Sequence, residues 1–301
     1  MIVLWYFIYQ GKQMNCKEIF DNVLSREGLY KNIQDPFASS DLIAQENIRI
    51  LNQLVRELTI DNSLSDLLDD ASFRTYKKWK AGPVNSGNIV YSGVCRYLCE
   101  VGGNSEIDPA TLDLEHKASF YANDGIQWKC LGDWNQYPLE DIADDIASID
   151  TGTVMNMSQR CPMVALNAHQ WAILDASSTS SGTTGLFCIK DNSIYVFGGL
   201  PEDTEIKFWY YTSKPVISGN DRRETFTSGN DTCKIPALIL IYGTVFRYLS
   251  DKDIGNYEKF GQKYRELLDS YIARGQAPQQ ISLAGGIVKG LSNYTDGNWN
   301  V

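Results

Sequence analysis

Two histidines, His116 and His169, bound what acid–base chemistry this chain can run, because a Ser/His/Asp or Cys/His engine would need one of them. No Gly-x-Ser-x-Gly elbow is present, and neither histidine lies in a His-Glu-x-x-His pair. Cys95 and Cys99 form the one close cysteine pair. Zinc would need two more ligands, and the nearest candidates, His116 and Cys130, lack the usual paired spacing. The two thiols are therefore expected side by side on one apolar helical face. Gly198-Gly199 and Gly285-Gly286 lack the rest of a P-loop or dinucleotide fingerprint and read as a turn and a flexible arm. Asp141, Asp144 and Asp145 suggest calcium by composition, but the EF-hand spacing is missing. They read as a solvated acidic face, as do Asp69-Asp70 and Asp251 with Asp253. Carboxylate pairs for glycoside hydrolysis are distant in sequence by nature and stay open, with no pair singled out. No catalytic residue, metal site or cofactor is expected.

Aromatic side chains are the other chemical resource: Trp128, Trp134, Trp171, Trp299, and Trp209 beside Tyr210 and Tyr211. Exposed on a β scaffold they would stack on sugars or bases. The run Phe208-Trp209-Tyr210-Tyr211 has the β-propensity of a core strand, which favours a core or subunit-interface role. With 301 residues, 43% of them hydrophobic and 21% charged, the chain can bury a sizeable core. Its net charge of −10 argues against binding phosphate backbones or anionic lipid. Seven cysteines (16, 95, 99, 130, 161, 188 and 233) show no repeated spacing, which suits reduced thiols in a protein made in the cytoplasm better than a disulfide framework.

Five regions follow from the hydrophobic pattern. Residues 1–15 begin with the apolar run Met1 to Tyr9, too short to span a bilayer. That run is either an over-extended start ahead of Met14 or an arm that needs a partner. Residues 16–70 read as N-terminal helices. Ile19, Phe20, Val23 and Leu24 share one face, Ala44, Ile48, Leu51, Val55 and Leu58 form the clearest stripe, and a third short helix is expected from Ser63 to about Asp70. Residues 71–233 are β-rich, with 81–113 expected as an insertion or long loop and Pro138 to Ala147 as a short acidic helix. Within this region Leu186–Lys190 and Ser193–Phe197 form a hairpin about Asp191-Asn192, and Glu205–Thr212 is a strand. Residues 234–275 return to helical period as a pair of helices, the first started by Pro236. Residues 276–301 are glycine-rich, apolar and almost uncharged, an extended arm that a neighbouring molecule should cover. The fold class is α+β: a helical bundle from both ends of the chain with a central antiparallel β domain.

Several of these positions carry a resemblance. Phe208 to Val216 (FWYYTSKPV) leads to Thr225 to Thr232 (TFTSGNDT), then Ile235-Pro236, Leu238, Gly243, Phe246-Arg247-Tyr248, Tyr257 and Tyr264. Upstream stand Leu67-Leu68 and Asp70 to Thr75 (DASFRT). The pattern, over residues 41–75 and 186–274, resembles head-to-tail adaptor (connector) proteins of short-tailed and related tailed bacteriophages. Two features depart from it: the family's Asp-x-Asp loop is reduced here to Gly229-Asn230-Asp231, and residues 81–135 have no counterpart.

The resemblance implies a structural virion protein of the neck, not an enzyme, assembled in the bacterial cytoplasm. It implies a homo-oligomeric ring of twelve copies beneath the portal protein, with tail nozzle or tube and fibre proteins below and no membrane. DNA would pass through the channel without specific binding, and an acidic wall would suit that passage. The C-terminal arm becomes the portal-docking segment, with Ile281, Leu283, Ile287, Val288, Leu291 and Trp299 as its anchors. A carbohydrate-binding or hydrolytic tail protein using surface aromatics is the alternative, as is a tail-tube or head-completion protein of the same virion.

Overall fold

The segment Ala237–Asp251 is apolar on almost every side, and a helix of that kind is stable only when other elements surround it. In the computed structural model, which describes residues 13–29, 33–60, 64–112, 119–176, 185–197, 200–255 and 257–276, three helices do so. Helix α1 (Cys16–Arg26) starts at a capping box: the Asn15 side chain accepts from the Glu18 N–H at 2.8 Å, and Glu18 accepts from the Asn15 N–H at 3.1 Å. Helix α2 (Leu42–Ile60) buries Ala44, Leu51, Leu54, Val55 and Leu58. These two, together with helix α6 (Tyr257–Gln276), pack on the apolar segment, helix α5. Val23, Leu54, Val55, Leu240, Ile241 and Val245 share one continuous core.

That packing is closer than side chains normally allow. A Cβ added to Gly243 of α5 would lie 2.5 Å from Leu54 Cδ2 and 2.9 Å from Tyr264 Cε2. One added to Gly261 of α6 would lie 2.6 Å from Phe246 Cε2. The two glycines thus set how near α5 comes to its neighbours.

The β region begins inside the expected third helix. Only a 3-10 turn forms there, Ser65–Leu67, and strand β1 (Leu68–Arg74) follows at once. Seven residues of antiparallel pairing bind β1 to the aromatic strand Glu205–Thr212, and this long-range ladder overrides the local helical pattern. Chain order then gives β2 (Lys77–Lys78), β3 (Gly82–Val84), β4 (Ile89–Ser92), β5 (Cys95–Val101), β6 (Gly103–Ser105), β7 (Ser119–Tyr121), β8 (Gln127–Asp133) and β9 (Gln136–Pro138). After the single turn α3 (Leu139–Ile142) come β10 (Ile146–Asn156), β11 (Cys161–Pro162) and β12 (Val164–Ala165). Helix α4 (Ala168–Ala176), β13 (Leu186–Lys190), β14 (Ser193–Phe197) and β15 (Glu205–Thr212) complete the region.

Two four-stranded sheets, ordered β1-β15-β10-β11 and β12-β13-β14-β9, share one apolar core in the manner of a sandwich. Strand β15, expected as a core strand, buries one face only: Ile206, Phe208 and Tyr210 lie in that core while Trp209 faces out. Between β13 and β14, Asp191 and Asn192 both take positive φ (48° and 55°), the geometry of a two-residue hairpin turn. Helix α4 was not anticipated from sequence. It sets Trp171 edge-on to Tyr195 and Phe197, with centroids 5.8 and 5.7 Å apart. The acidic helix expected over Pro138 to Ala147 shrinks to the one turn of α3, because β10 begins at Ile146.

The expected loop at 81–113 is instead part of a second β unit. Strands β2-β4-β5-β8-β7 form a five-stranded sheet, β3 pairs with β6, and Val84, Tyr97, Cys99, Ile126, Trp128 and Cys130 make a separate core. Asn85 to Asn88 and Gly93 form turns between short strands, with Gly87 (φ 88°) and Gly93 (φ 60°) taking positive φ, while Gly82, Ser92 and Gly103 to Ser105 lie within strands. Cys95 and Cys99 accordingly lie on a strand, not a helix; a separation of four shares a face in either conformation. Buried Arg96 ties this unit to the sandwich, donating to the Tyr76 hydroxyl at 3.1 Å and to the carbonyls of Leu131 and Gln136. Tyr76 in turn stacks on Tyr137 at 4.7 Å. The molecule is an α+β fold, with helices from both ends flanking a central, mainly antiparallel β region.

Replacing Gly243 by Ala should destabilise the protein by about 1–3 kcal/mol in urea unfolding, because overpacking outweighs the gain in helix propensity. Gly255→Ala, where an added Cβ meets nothing within 4 Å, should leave stability unchanged within about 0.5 kcal/mol.

Candidate functional site

Between the sandwich and the helices, residues 213–235 cross over, and two polar clusters gather there. Strands β16 (Val216–Ser218), β17 (Asp221–Arg223) and β18 (Thr232–Cys233) form a small antiparallel sheet ordered β17-β16-β18. The loop between β17 and β18 contains Phe226, whose ring is buried in the helical core. Asn52 of α2 reads the Phe226 backbone from both sides, accepting its N–H at 2.9 Å and donating to its carbonyl at 3.1 Å. Further on, the buried Asp231 carboxylate accepts the N–H groups of Thr227 (2.7 Å) and Ser228 (2.8 Å). Burial raises its pKa, and these hydrogen bonds outweigh that to hold it below the ordinary carboxylate value. The loop's own carbonyls then serve α1: Asp231 accepts from the Cys16 N–H at 2.7 Å and Gly229 from the Lys17 N–H at 2.9 Å. Two N–H groups at the helix start, which the helix itself leaves unpaired, are satisfied in this way.

A second cluster fastens this crossover to the sandwich. Asp145, at the start of β10, is buried. It accepts from the Tyr210 hydroxyl (2.7 Å), the Thr212 hydroxyl (2.7 Å) and Arg222 Nη1 (2.9 Å). Arg222 also reaches Asp69 at 2.5 Å, and Lys234 donates to the same Asp69 oxygen at 2.5 Å. At the rim Lys214 pairs with Asp144 at 2.5 Å. The network lines an open cleft of about 660 Å³ whose other walls include Asp70, Asn220 and Asp221. Burial raises the Asp145 pKa, and the three hydrogen bonds together with the Arg222 charge bring it below its ordinary value. The chemistry on offer is directional charge: the carboxylates at the centre are occupied by fixed cations, and the cluster joins β1, β10, β15, β17 and the start of α5.

These acids were expected in solvent. In each doublet the member inside the network is the less exposed: Asp145 is buried against exposed Asp144, and Asp69 is half-buried against exposed Asp70. The signal in the sequence is the doublet itself, since adjacent residues in or entering a strand point to opposite faces. The basic partners lie between 70 and 165 residues away, and no spacing reveals them. The expected docking anchors Ile281, Leu283, Ile287, Val288, Leu291 and Trp299 lie outside the described residues, as do His116, the apolar run 1–9 and Gly285-Gly286. Among the described residues no group of three or more His, Cys, Asp or Glu is placed to hold a metal ion. Among them, too, no helix is long and apolar enough to cross a membrane.

Compared with known protein families and with curated proteins, the chain matches none.

Because the native Asp145 carboxyl binds its proton less readily than the unfolded one, its contribution to stability is present above the ordinary carboxylate pKa. That contribution is lost as pH falls through the lower native value. Asp145→Asn should therefore flatten the acid limb of a stability–pH profile. At pH 7 it should cost about 1–3 kcal/mol by urea unfolding, through the weakened pairing of Arg222.

Proposed function

We propose that this chain is a head-to-tail adaptor of a short-tailed or related tailed bacteriophage, forming a ring beneath the portal that extends the DNA channel and carries the tail. The observation that supports the reading is the convergence of the resembling positions. Phe226 and Tyr248 are buried in the helical core, and Asp231 organises the loop that caps α1. Gly243 lets α5 approach Leu54 and Tyr264, and Arg247 pairs with Glu57 at 2.5 Å. Resembling residues between Phe226 and Tyr264, meeting Leu54 and Glu57 of α2, thus serve one junction between α1, α2, α5, α6 and the β region. Such a rigid junction suits a ring subunit, where each copy must present fixed complementary patches to the next if the ring is to close.

In this reading the portal binds residues 276–301, twelve copies surround the channel, and tail nozzle or tube and fibre proteins attach below. The test is mass photometry of the purified protein alone and mixed with a portal ring from the same genome. The adaptor reading expects a monomer that converts to a discrete complex with one copy per portal subunit, and a chain lacking 276–301 that stays folded but does not join. Absence of any association between the full chain and the portal ring would remove the reading.

One observation favours a second function. Trp209 is 50% exposed on the outer face of β15, flanked in register by Asp70 of β1 and Asp150 of β10. An exposed indole between carboxylates suits stacking on a sugar ring while the acids accept its hydroxyl protons. A glycan array with the intact protein and with Trp209→Ala separates this from the adaptor reading: a signal lost in the variant would support it.

A further inference from the structure

At the junction of α1 and α2, two acceptor groups meet with a donor for only one of them. Glu27 occupies the C-cap of α1, and Asn47, 1% exposed on α2, donates its Nδ2–H to Glu27 Oε2 at 3.0 Å. The second oxygen of each group, Glu27 Oε1 and Asn47 Oδ1, is buried and has no hydrogen-bond partner among the described residues. An ionised carboxylate and an amide oxygen both only accept, so an anionic Glu27 would leave both oxygens unsatisfied, and buried polar groups in folded proteins rarely remain so.

The surrounding charges do not favour the anion either. Glu27 stands at the negative end of the α1 dipole. Glu46, beside Asn47 on α2, adds a like charge. Among the described residues, the cations near this junction are engaged elsewhere. Arg26 of α1 donates to the Tyr242 hydroxyl of α5 at 3.0 Å and lies over that ring, and Lys252, the C-cap of α5, pairs with Glu46 at 2.9 Å.

We propose that Glu27 is held as a neutral carboxylic acid and donates its Oε1–H to Asn47 Oδ1, closing a cyclic acid–amide pair that acts as a proton-dependent latch between α1 and α2. The pair spans the same two helices as a small apolar cluster of Phe20, Leu24 and Ala44, so its closure and the packing of that cluster support each other. Burial, opposed by the Asn47 hydrogen bond and reinforced by Glu46, pushes the carboxyl up to about 8. Loss of the proton puts a charge into the junction and leaves the Asn47 oxygen without a donor. This device is independent of the adaptor reading and stands or falls separately from it.

The sign of the linkage is distinctive. With a native pKa above the unfolded value, the latch contributes fully below the unfolded carboxylate pKa, and its contribution falls as pH rises toward the native value. Equilibrium urea unfolding of the full chain between pH 5 and 8 should show the folding constant dropping by up to about tenfold per pH unit from this one proton. Glu27→Gln, whose amide supplies the donor at every pH, should abolish that slope and be more stable than the unmodified protein at pH 8. As a direct readout, ¹³C-carboxyl titration of Glu-labelled protein, assigned by the resonance missing in Glu27→Gln, should show Glu27 still protonated at pH 7. Equal pH slopes for the two proteins, or a Glu27 resonance already ionised at pH 6, would overturn the proposal.

Discussion

The burial of α5 is the constraint on which most of this structure depends. A helix carrying Ile239, Leu240, Ile241, Val245 and Leu249 around its circumference cannot face water. It is satisfied only when α1 and α2, from the start of the chain, close on it together with α6 from the end. That requirement makes the helical layer a long-range assembly and forces the β region to leave and return at nearly the same place. Gly243 and Gly261 let Leu54, Tyr264 and Phe246 come closer than a side chain at either position would allow.

The crossover between the layers is built to be stiff. Its backbone is read by Asn52, its loop carbonyls cap α1, and Arg222 and Lys234 converge on Asp69 while Asp145 collects Tyr210, Thr212 and Arg222. A buried carboxylate is costly unless both its oxygens are engaged, and both oxygens of Asp145 are. Such a joint holds the two layers together through charge and backbone hydrogen bonds. Arg96 plays a similar part between the sandwich and the second β unit, with carbonyls and a tyrosine hydroxyl in place of carboxylates.

Glu27 and Asp145 show how one residue class takes opposite roles within one fold. Both carboxyls are desolvated, and burial alone would raise both. Asp145 meets three donors, one of them cationic, and is brought below its usual value. Glu27 meets a single amide donor, a helix C-terminus and a like charge, and is pushed to about 8. The number of donors within reach, more than depth of burial, separates the two.

Where the determining contacts are local, the sequence alone was a sound guide. The Ala44–Leu58 stripe, the hairpin about Asp191-Asn192, the strand Glu205–Thr212 and the Pro236-started helix all lie where side-chain period and turn chemistry put them. It also determined the α+β class, since helical periodicity at both ends and strand periodicity between them admit few other arrangements. Only the tertiary structure decided that Leu68–Arg74 is a strand, that the described residues between 77 and 133 close their own core, and that Asp69 and Asp145 turn from the solvent to Arg222 and Lys234. These outcomes depend on partners up to 165 residues away, and a pairing energy between distant groups leaves no period in the chain that carries them.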